Sequence, residues 1–198
     1  FLKIKQGDSS FAWLDDSMKR RIFEAFDRGI DLILKCQYVQ NGVKTAWGQQ
    51  HDHVTFLPTK ARSYELPSLT ANESCCIIAL LMDIPHPTKE IVEAVKAAVA
   101  WLKKVQIKGI RVEKVALPED KIAKPIWARF YELADNTPFM CTRSGQKVWK
   151  LEDVNAERRT GYEWYGYWPE KIFKRYDQWL KKAEMALRYD GHEVLNTM

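Results

Sequence analysis

A long apolar run that ends at a proline break constrains the fold more than any other feature of this chain. Residues 69–83 are almost entirely apolar, and Thr70 with Glu73 three positions later matches a helix capping box. Prolines at positions 85 and 87 then end the run, because proline cannot continue a helix. A second periodic stretch starts at Thr88 and places one apolar stripe along Ile91, Val92, Val95, Ala98, Val99 and Leu102. The pattern predicts an antiparallel hairpin of two helices.

Two further helices are predicted nearer the ends of the chain. Residues 17–37 repeat apolar side chains at three- and four-residue spacings, and Asp16 or Ser17 can cap the start. Another helix is predicted from Pro169 to about Tyr189, because proline is preorganised for the first helical position. In between, the helical period is lost, and short strands or extended loops are expected in 110–117, 125–133 and 139–149. The chain is therefore expected to be mainly helical with short β excursions.

Composition indicates a folded domain but does not identify its partner. With 198 residues, of which 46% are hydrophobic and 29% charged, the chain can build one full core or two small ones. The net charge of +5 is compatible with an anionic partner, although much of it lies on solvated helix faces. No apolar stretch reaches the roughly 18 residues that a membrane-spanning helix needs, so no membrane association is expected. The four cysteines lack zinc-site spacing, and the adjacent Cys75 and Cys76 are expected to fill the core.

Three arginines stand out because each lies in a short uncharged or aromatic segment rather than in a basic run. Arg62 lies between Lys60 and Leu69, Arg129 in the aromatic 126–132 segment, and Arg143 in the 139–145 segment. A guanidinium keeps its charge, and its planar fork of donors matches a carboxylate, so this placement predicts that the arginines hold an anion. The alternative is the commonest role of a lone arginine, a surface ion pair or a group that fixes a loop.

The segment Trp47-Gly-Gln-Gln-His-Asp52 invites a metal-site or catalytic interpretation, because a histidine and a carboxylate stand side by side. Adjacent residues point apart on a regular backbone, however. His51 is therefore expected to be either a hydrogen-bonded loop residue or a substrate contact, and not a metal ligand.

Seven segments, in the same order along roughly residues 20–180, resemble the pectate lyases of polysaccharide lyase family 10. The segments are Gly29–Gly42, Trp47–Asp52, Lys60–Leu69, Ala97–Trp101, Lys108–Arg111, Trp127–Glu132 and Glu157–Tyr165. The resemblance implies an (α/α)3 toroid that binds calcium and cuts polygalacturonate, the acidic polymer of pectin. It implies cleavage by β-elimination, which leaves a 4,5-unsaturated uronide at the new chain end.

The resemblance also implies roles for particular residues. Arg143 is expected to be the base that removes the C5 proton, and Arg62 and Arg129 to hold substrate carboxylates. Because a guanidinium loses its proton only in strongly alkaline solution, neighbouring cations must lower its pKa, which predicts a strongly alkaline optimum. The other residues expected to contact the substrate are Trp47, His51, Asp52, Lys60 and Tyr64. Late aromatic residues could stack on sugars, but structural roles are favoured for Trp164, Tyr165, Tyr167 and Trp168.

Calcium ligands are not assigned to any residue of this chain. In the family, the acidic ligands lie upstream of the matched segments, and no acidic residue here falls in an alignable position. Residues 1–198 are therefore expected to form one catalytic-type domain that lacks its N-terminal helices, and the missing part is an expected partner. The start at Phe1, without methionine, agrees with a processed or excerpted chain.

Two other functions are alternatives to the lyase hypothesis. A shortened homologue could bind acidic polysaccharide through its arginines without cleaving it. Nucleic-acid binding would rest on net charge and interleaved aromatic residues, but the sequence has no recognised motif and no long basic stripe, so it is not expected. Secretion from a plant-degrading bacterium is expected from the resemblance, because pectin lies outside cells.

Overall fold

A computed structural model describes residues 1–113 and 116–195 and divides the chain into two units, Phe1–Lys35 and Cys36–Met198. The first unit contains α1 (Leu2–Lys5), a 3-10 turn (Ser9–Phe11) and α2 (Asp16–Lys35). The ring of Phe1 stacks on that of Phe26 at 3.6 Å and meets the ring of Phe23 edge-on. These aromatic contacts hold the start of the chain against α2.

Helix α2 confirms the sequence prediction for 17–37, but its cap differs from the one expected. The carboxylate of Asp15, and not Asp16 or Ser17, accepts a hydrogen bond from the Met18 amide at 2.7 Å. Within the helix Ile30 is buried, whereas Ile22, Phe23 and Phe26 are only half-buried.

The predicted helix hairpin is confirmed as α3 (Ala71–Met82) and α4 (Lys89–Lys104). Thr88 caps α4 as expected, because its hydroxyl accepts from the Ile91 amide at 3.4 Å. The prediction of a capping box at the start of α3 is wrong, because the Thr70 side chain makes no capping hydrogen bond. The Thr70 hydroxyl donates instead to the Trp47 carbonyl at 3.2 Å, and the Glu73 carboxylate pairs with Arg129.

The last helix, α6 (Pro169–Leu195), extends beyond the predicted end near Tyr189 and packs against both α3 and α4. Large aliphatic side chains of the three helices are buried: Ile78, Leu81, Val92, Val95, Leu102 and Ile172. Each such side chain stabilises the fold by about 1.5–3 kcal/mol relative to its exposed state. The three helices form one side of the core in this unit.

Short antiparallel sheets lie among the loops of the remaining chain. One sheet joins β3 (Leu69–Thr70), β5 (Phe130–Tyr131), β6 (Pro138–Cys141) and β7 (Lys147–Val148) in the order β3-β5-β6-β7. Two smaller sheets pair β1 (Val39–Gln40) with β2 (Val43–Lys44) and β4 (Trp127–Ala128) with β8 (Tyr165–Gly166). A 3-10 turn (Leu151–Asp153) and the short α5 (Ala156–Gly161) lie between β7 and β8.

The strands predicted in 125–133 and 139–149 are confirmed by β4 to β7. The alternating segment 110–117 forms no strand in its described part, where Ile110 makes only an isolated bridge to Glu119. Residues 114 and 115 of that prediction lie outside the described residues.

The prediction of a mainly α, (α/α)3 toroid is wrong. Such a toroid requires three helical hairpins, whereas the described part of the Cys36–Met198 unit contains one, α3–α4, joined by α6. Between α4 and α6 the chain forms antiparallel strands in place of two long helices. Pairing between distant residues, such as Leu69 with Tyr131, supplies backbone hydrogen bonds that local helices would otherwise make.

The structure bears on the expectations for membrane spans and for the cysteines. No helix within the described ranges has both the length and the apolar character needed to cross a membrane. Cys75 is buried as expected, but Cys76 on the neighbouring helix face is exposed, so only one of the pair fills the core. Cys36 and Cys141 are also free thiols.

Candidate functional site

Two tight turns bring predicted site residues together. The first turn spans Arg62 to Glu65, where the Glu65 amide donates to the Arg62 carbonyl at 2.9 Å. The second connects β6 to β7 and carries Arg143. Gly145 of this second turn has φ +87°, and a Cβ there would overlap with the carbonyl oxygen of Ser63 in the first turn. Glycine is therefore required for the two turns to pack against each other.

Four arginines surround two tyrosine rings at this junction. The guanidinium carbon lies 5.0 Å from the Tyr64 ring centroid for Arg62, 5.7 Å for Arg143 and 3.7 Å for Arg158. The Tyr162 ring meets that of Tyr64 edge-on at 6.4 Å, and it is contacted by Arg158 at 4.6 Å and by Arg129 at 4.7 Å. We call this set the arginine–tyrosine cluster: Arg62, Tyr64, Arg129, Arg143, Arg158 and Tyr162. Burial raises the pKa of Tyr162 to about 12, so its phenol stays neutral.

Local structure explains how each arginine reaches the cluster. Arg129 stands between β4 and β5, where its amide donates to the Trp164 carbonyl at 2.7 Å and its carbonyl accepts from the Ala71 amide at 3.2 Å. Arg143 is fixed at the turn tip because its amide donates to the Asn155 side chain at 2.8 Å. Asn155 directly precedes α5, the helix that contains Arg158.

Three of the four arginines are paired with glutamates. Arg62 forms a two-pronged pair with the buried carboxylate of Glu65, in which Nε donates to Oε2 at 2.7 Å and an amino group donates to Oε1. Arg129 pairs with Glu73, and Arg143 lies 3.5 Å from Glu157. The hydrogen bonds to Glu65 raise the pKa of Arg62 above its ordinary value.

Arg158 differs from the other three arginines in both burial and pairing. Arg158 as a whole residue is only 4% exposed. The side chains of Arg62 and Arg143, by contrast, are 59% and 58% exposed. Among the described residues Arg158 makes no ion pair. The four arginines of the cluster and their three paired glutamates together carry a net charge of +1.

Buried polar atoms that lack a partner concentrate around this cluster. Within the described part of the chain, six buried side-chain nitrogen or oxygen atoms have no hydrogen-bond partner. Four belong to Arg129, Arg158 and Glu73, and a fifth belongs to Gln49, whose amide nitrogen donates to Glu65 at 2.8 Å. Unsatisfied buried groups are uncommon in folded proteins and mark places where a ligand, an ion or water completes the bonding.

The segment Trp47–Asp52 supports the loop beside the cluster. Trp47 is 1% exposed and its backbone bonds to Thr70 and Ser74, so in this structure it offers no surface to a ligand. The His51 ring is held from both sides, with Nδ1 2.8 Å from the Phe56 carbonyl oxygen and Nε2 accepting from the Gly48 amide at 2.9 Å. This bonding favours the loop-residue alternative for His51.

Asp52 and Lys60 are placed at the surface of the same loop. The Asp52 carboxylate accepts from the amides of Val54 and Thr55, and the bond from Thr55 is the main reason that its pKa is lowered. Asp52 thus stabilises the turn that follows it. Lys60 is exposed two residues before Arg62. Neither residue contacts the arginine–tyrosine cluster through a described hydrogen bond, and their roles in substrate binding stay predictions.

Sequence reasoning missed the glutamates and Arg158. Glu65 lies inside the segment that drew attention to Arg62, and Glu73 was interpreted as a capping residue. Arg158 lies in the Glu157–Tyr165 segment, but nothing in the sequence separates it from its neighbour Arg159, which instead bonds the Glu152 and Val154 carbonyls. Only the fold shows which of the two faces the rings.

Residues in the described ranges do not form a metal centre by themselves. No three histidine, cysteine, aspartate or glutamate side chains in these ranges lie close enough together to hold an ion. The carboxylates of Glu65, Glu73 and Glu157 are each engaged by an arginine. These residues therefore do not fit a calcium site.

Glu65 should make the folding stability of this chain sensitive to acid. Burial raises the pKa of its carboxyl, but the hydrogen bonds from Arg62 outweigh this effect and leave the pKa below its ordinary value of 4.5. A lowered pKa means that the stabilisation is complete above pH 4.5 and is lost as the pH falls through the folded-state value. Glu65→Gln should lower the free energy of unfolding at pH 7 by about 2 kcal/mol and flatten its dependence on pH below 4.5.

Urea unfolding of wild type and Glu65→Gln at several pH values measures both effects. Glu152→Gln is a matched control, because its carboxylate is exposed and lies 3.7 Å from an equally exposed lysine. A pH dependence in Glu65→Gln as steep as that of wild type would contradict the assignment.

Comparisons with known proteins find one matching protein family and similar solved structures. A family model described as pectic acid lyase matches residues 1–173. A family 10 polysaccharide lyase from Cellvibrio cellulosa has a similar solved structure, with a TM-score of 0.78 and 36% identity over 83% of this chain and 53% of that one. A mutant of the Cellvibrio cellulosa lyase, in complex with trigalacturonic acid, gives the same TM-score and coverage at 37% identity. No curated protein matches, and this chain spans about half the length of the solved lyases. The chain belongs to the pectic acid lyase family.

Proposed function

We propose that this chain carries the substrate-binding arginines of a pectate lyase that cleaves polygalacturonate. The observation that carries the proposal is the arginine–tyrosine cluster, which gathers four guanidinium groups at one place. Five buried polar atoms without a hydrogen-bond partner lie in this cluster or next to it. A similar lyase also supports the proposal, because the solved structure of its mutant contains trigalacturonic acid. A uronate chain carries one carboxylate per sugar, which matches several arginines spaced around one site.

The exposed ion pair of Arg143 is suited to exchange with a substrate. Arg143 and Glu157 are both more than half exposed and their charged atoms are 3.5 Å apart, so the pair contributes less than about 1 kcal/mol. A substrate carboxylate can therefore displace Glu157 at little cost. Arg129 is better sheltered, with a side chain that is 15% exposed, and it can hold a carboxylate more firmly.

The proposed reaction is β-elimination with Arg143 as the proton acceptor. The acceptor takes the proton from C5, the electrons of that bond form the C4–C5 double bond, and the C4–O4 bond breaks. The departing oxygen takes a proton from solvent, and the new chain end is a 4,5-unsaturated uronide. Arg62 and Arg129 hold carboxylates and stabilise the charge that develops next to C5. Arg62 suits this role because its bonds to Glu65 favour its protonated form.

Calcium is proposed as a further requirement, with ligands outside this chain. The residues in the described ranges do not supply a site, so none of the steps above depends on the ion. We also propose that the protein acts outside the cell, because a pectin polymer cannot reach an enzyme inside it.

We expect the chain to cleave polygalacturonate with a strongly alkaline optimum. A guanidinium ordinarily keeps its proton even in alkaline solution, so its neutral form is scarce and the rate should rise steeply with pH until the protein unfolds. The measurement is ultraviolet absorbance of the unsaturated uronide over a pH series, with calcium and again with a chelator. A maximum at neutral pH would contradict an arginine base.

Binding without cleavage is the alternative that this assay separates. Isothermal titration with trigalacturonate measures affinity in the same buffers. Retained affinity with no rise in absorbance, with or without calcium, would indicate a non-catalytic binder of acidic polysaccharide.

A further inference from the structure

A groove between α3 and the start of α6 lies outside the arginine–tyrosine cluster and has a volume of about 580 Å³. Asn72, Cys76 and Ala79 line one side of it and share one face of α3, because helix residues three and four positions apart are neighbours. Tyr167, Trp168 and the first two turns of α6 line the other side. We call this space the α3–α6 groove. With a helix rise of about 1.5 Å per residue, it extends over about 10 Å along α3, enough for a short stretch of an extended polymer.

Two aromatic side chains present open surface in this groove. Tyr167 is 37% exposed, and within the described ranges neither its ring nor that of Trp168 is stacked on another ring or covered by a cation. The indole N–H of Trp168 also makes no hydrogen bond in this part of the chain. Three buried tryptophans, by contrast, each donate to a protein oxygen: Trp101, Trp127 and Trp164. The Trp168 ring is nevertheless fixed, because it lies so close to Gly166 that a Cβ there would overlap with it. An ordered aromatic wall and an open donor are therefore available to a ligand.

The charged groups of the groove leave an excess of positive charge. Glu170 lies 3.6 Å from a lysine outside the groove, and Arg175 pairs with an aspartate at the end of α3, so these two charges are offset. Lys171 and Lys174 are exposed, lie about one turn apart on α6 and make no ion pair with any carboxylate that the structure describes. Two unpaired cations therefore stand beside the aromatic wall, and this combination favours an anionic ligand with apolar faces.

We propose that the α3–α6 groove is a second binding site for polyuronate, separate from the arginine–tyrosine cluster. Tyr167 and Trp168 pack against the apolar faces of the sugar rings, and Lys171 and Lys174 contact their carboxylates. The site holds a stretch of polymer that is not being cut. The choice of polyuronate rests on the function proposed above.

Position along α3 and charge both favour this ligand over other polymers. Asn72 of the groove directly precedes Glu73, whose carboxylate pairs with Arg129 of the cluster, so a long chain bound at the cluster has the groove within reach. A neutral polysaccharide would use the aromatic wall but leave both lysines without a partner. Single-stranded nucleic acid also combines stacking surface with negative charge, and the experiment below separates it from polyuronate.

The exposed thiol of Cys76 reports whether the groove is occupied, without requiring cleavage. Iodoacetamide is uncharged, so its reaction with this thiol slows where a ligand covers the groove. An excess of polygalacturonate should slow the labelling of Cys76 by at least about threefold, with a chelator present so that the proposed calcium-dependent cleavage does not consume the polymer. Cys36, a half-buried thiol outside the groove lining, should keep its rate in the same samples. Mass spectrometry of peptides measures the two thiols separately.

Two pairs of lysines on α6 separate a specific groove from general attraction between charges. The double variant Lys171→Ala, Lys174→Ala should raise the polymer concentration needed for half-protection of Cys76 by about three- to tenfold. The double variant Lys181→Ala, Lys182→Ala removes the same charge from exposed positions of the same helix that do not line the groove, and should leave that concentration unchanged. Tyr167→Ala should weaken protection without any change of charge.

The ligand is varied in the same assay. Full methyl esterification removes the charge of the polymer and should abolish most of the protection of Cys76. Absence of protection by polygalacturonate, equal protection by single-stranded DNA of the same charge, or equal effects of the two lysine pairs would overturn the proposal. A Cys76 that does not react in the absence of ligand would also overturn it, because another part of the protein or a second copy would then cover the groove.

These outcomes are independent of the proposed function. A chain that cleaves polygalacturonate while the polymer leaves Cys76 unprotected keeps the function and loses the groove as a binding site. A chain in which the polymer protects Cys76 but is not cleaved in the presence of calcium keeps the groove and loses the lyase activity.

Discussion

Replacing Arg143 by lysine should lower kcat on polygalacturonate by about 10²- to 10⁴-fold at the optimal pH. Lysine loses its proton more readily than arginine, with an ordinary pKa near 10.4, so a loss of rate would not reflect a scarcer neutral form. It would reflect geometry, because an ammonium group cannot present the planar fork that Arg143 places at the turn tip, 5.7 Å from the centroid of the Tyr64 ring. Steady-state absorbance kinetics give kcat and KM separately, and circular dichroism checks that the variant is folded.

Arg62→Lys is the matched comparison for this result. Arg62 is proposed to hold a carboxylate, so its variant should raise KM more than it lowers kcat. Lys150→Ala, which removes an exposed cation near the same hairpin, should change neither value. If Arg62→Lys lost kcat while Arg143→Lys kept it, the two roles would have to be exchanged between these residues.

Local signals in the sequence were sufficient to predict the long helices. The Thr88 hydroxyl and the proline at 169 lie where α4 and α6 start, and the apolar stripe of α4 is buried as its spacing indicates. Such signals act within one or two turns of chain, so they can be recognised without knowledge of the fold. The same logic failed at Thr70, whose hydroxyl finds a partner 23 residues away at Trp47.

The architecture was less predictable because its sheets depend on distant pairings. Leu69 pairs with Tyr131, and Phe130 pairs with Phe139, although no local period links these segments. The toroid is an implication of the family resemblance and not of any pattern in the residues. Since a strand of two residues leaves almost no periodic pattern, sequence spacing could not correct that expectation.

For the candidate site, the sequence indicated the arginines but not their partners. Arg62, Arg129 and Arg143 do converge near Tyr64 and Tyr162. The paired carboxylates of Glu65 and Glu73 come from a turn and from a helix face whose directions are fixed only by packing. Trp47 is buried instead, and a tryptophan in a matched segment can pack in a core as readily as it can contact a ligand.

Gly145→Ala should lower the free energy of unfolding by about 2–4 kcal/mol and reduce kcat/KM more than tenfold. The residue has φ +87°, and an added Cβ would overlap with the Ser63 carbonyl oxygen, which belongs to the backbone and cannot rotate away. The β6–β7 turn must then move away from the Arg62 turn. Because Arg62 and Arg143 share the Tyr64 ring only while these turns touch, a small displacement should separate the two arginines.

Gly42→Ala separates backbone strain from this contact. Gly42 has a similar φ of +80° but no atom within 4 Å of an added Cβ, so its substitution should cost only about 1 kcal/mol and leave kcat/KM unchanged. Urea unfolding of both variants gives the difference that belongs to the Ser63 contact. Equal destabilisation by the two substitutions would mean that the close approach of the turns does not hold the cluster together, and the arginines would then have to be positioned by α5 and the sheet alone.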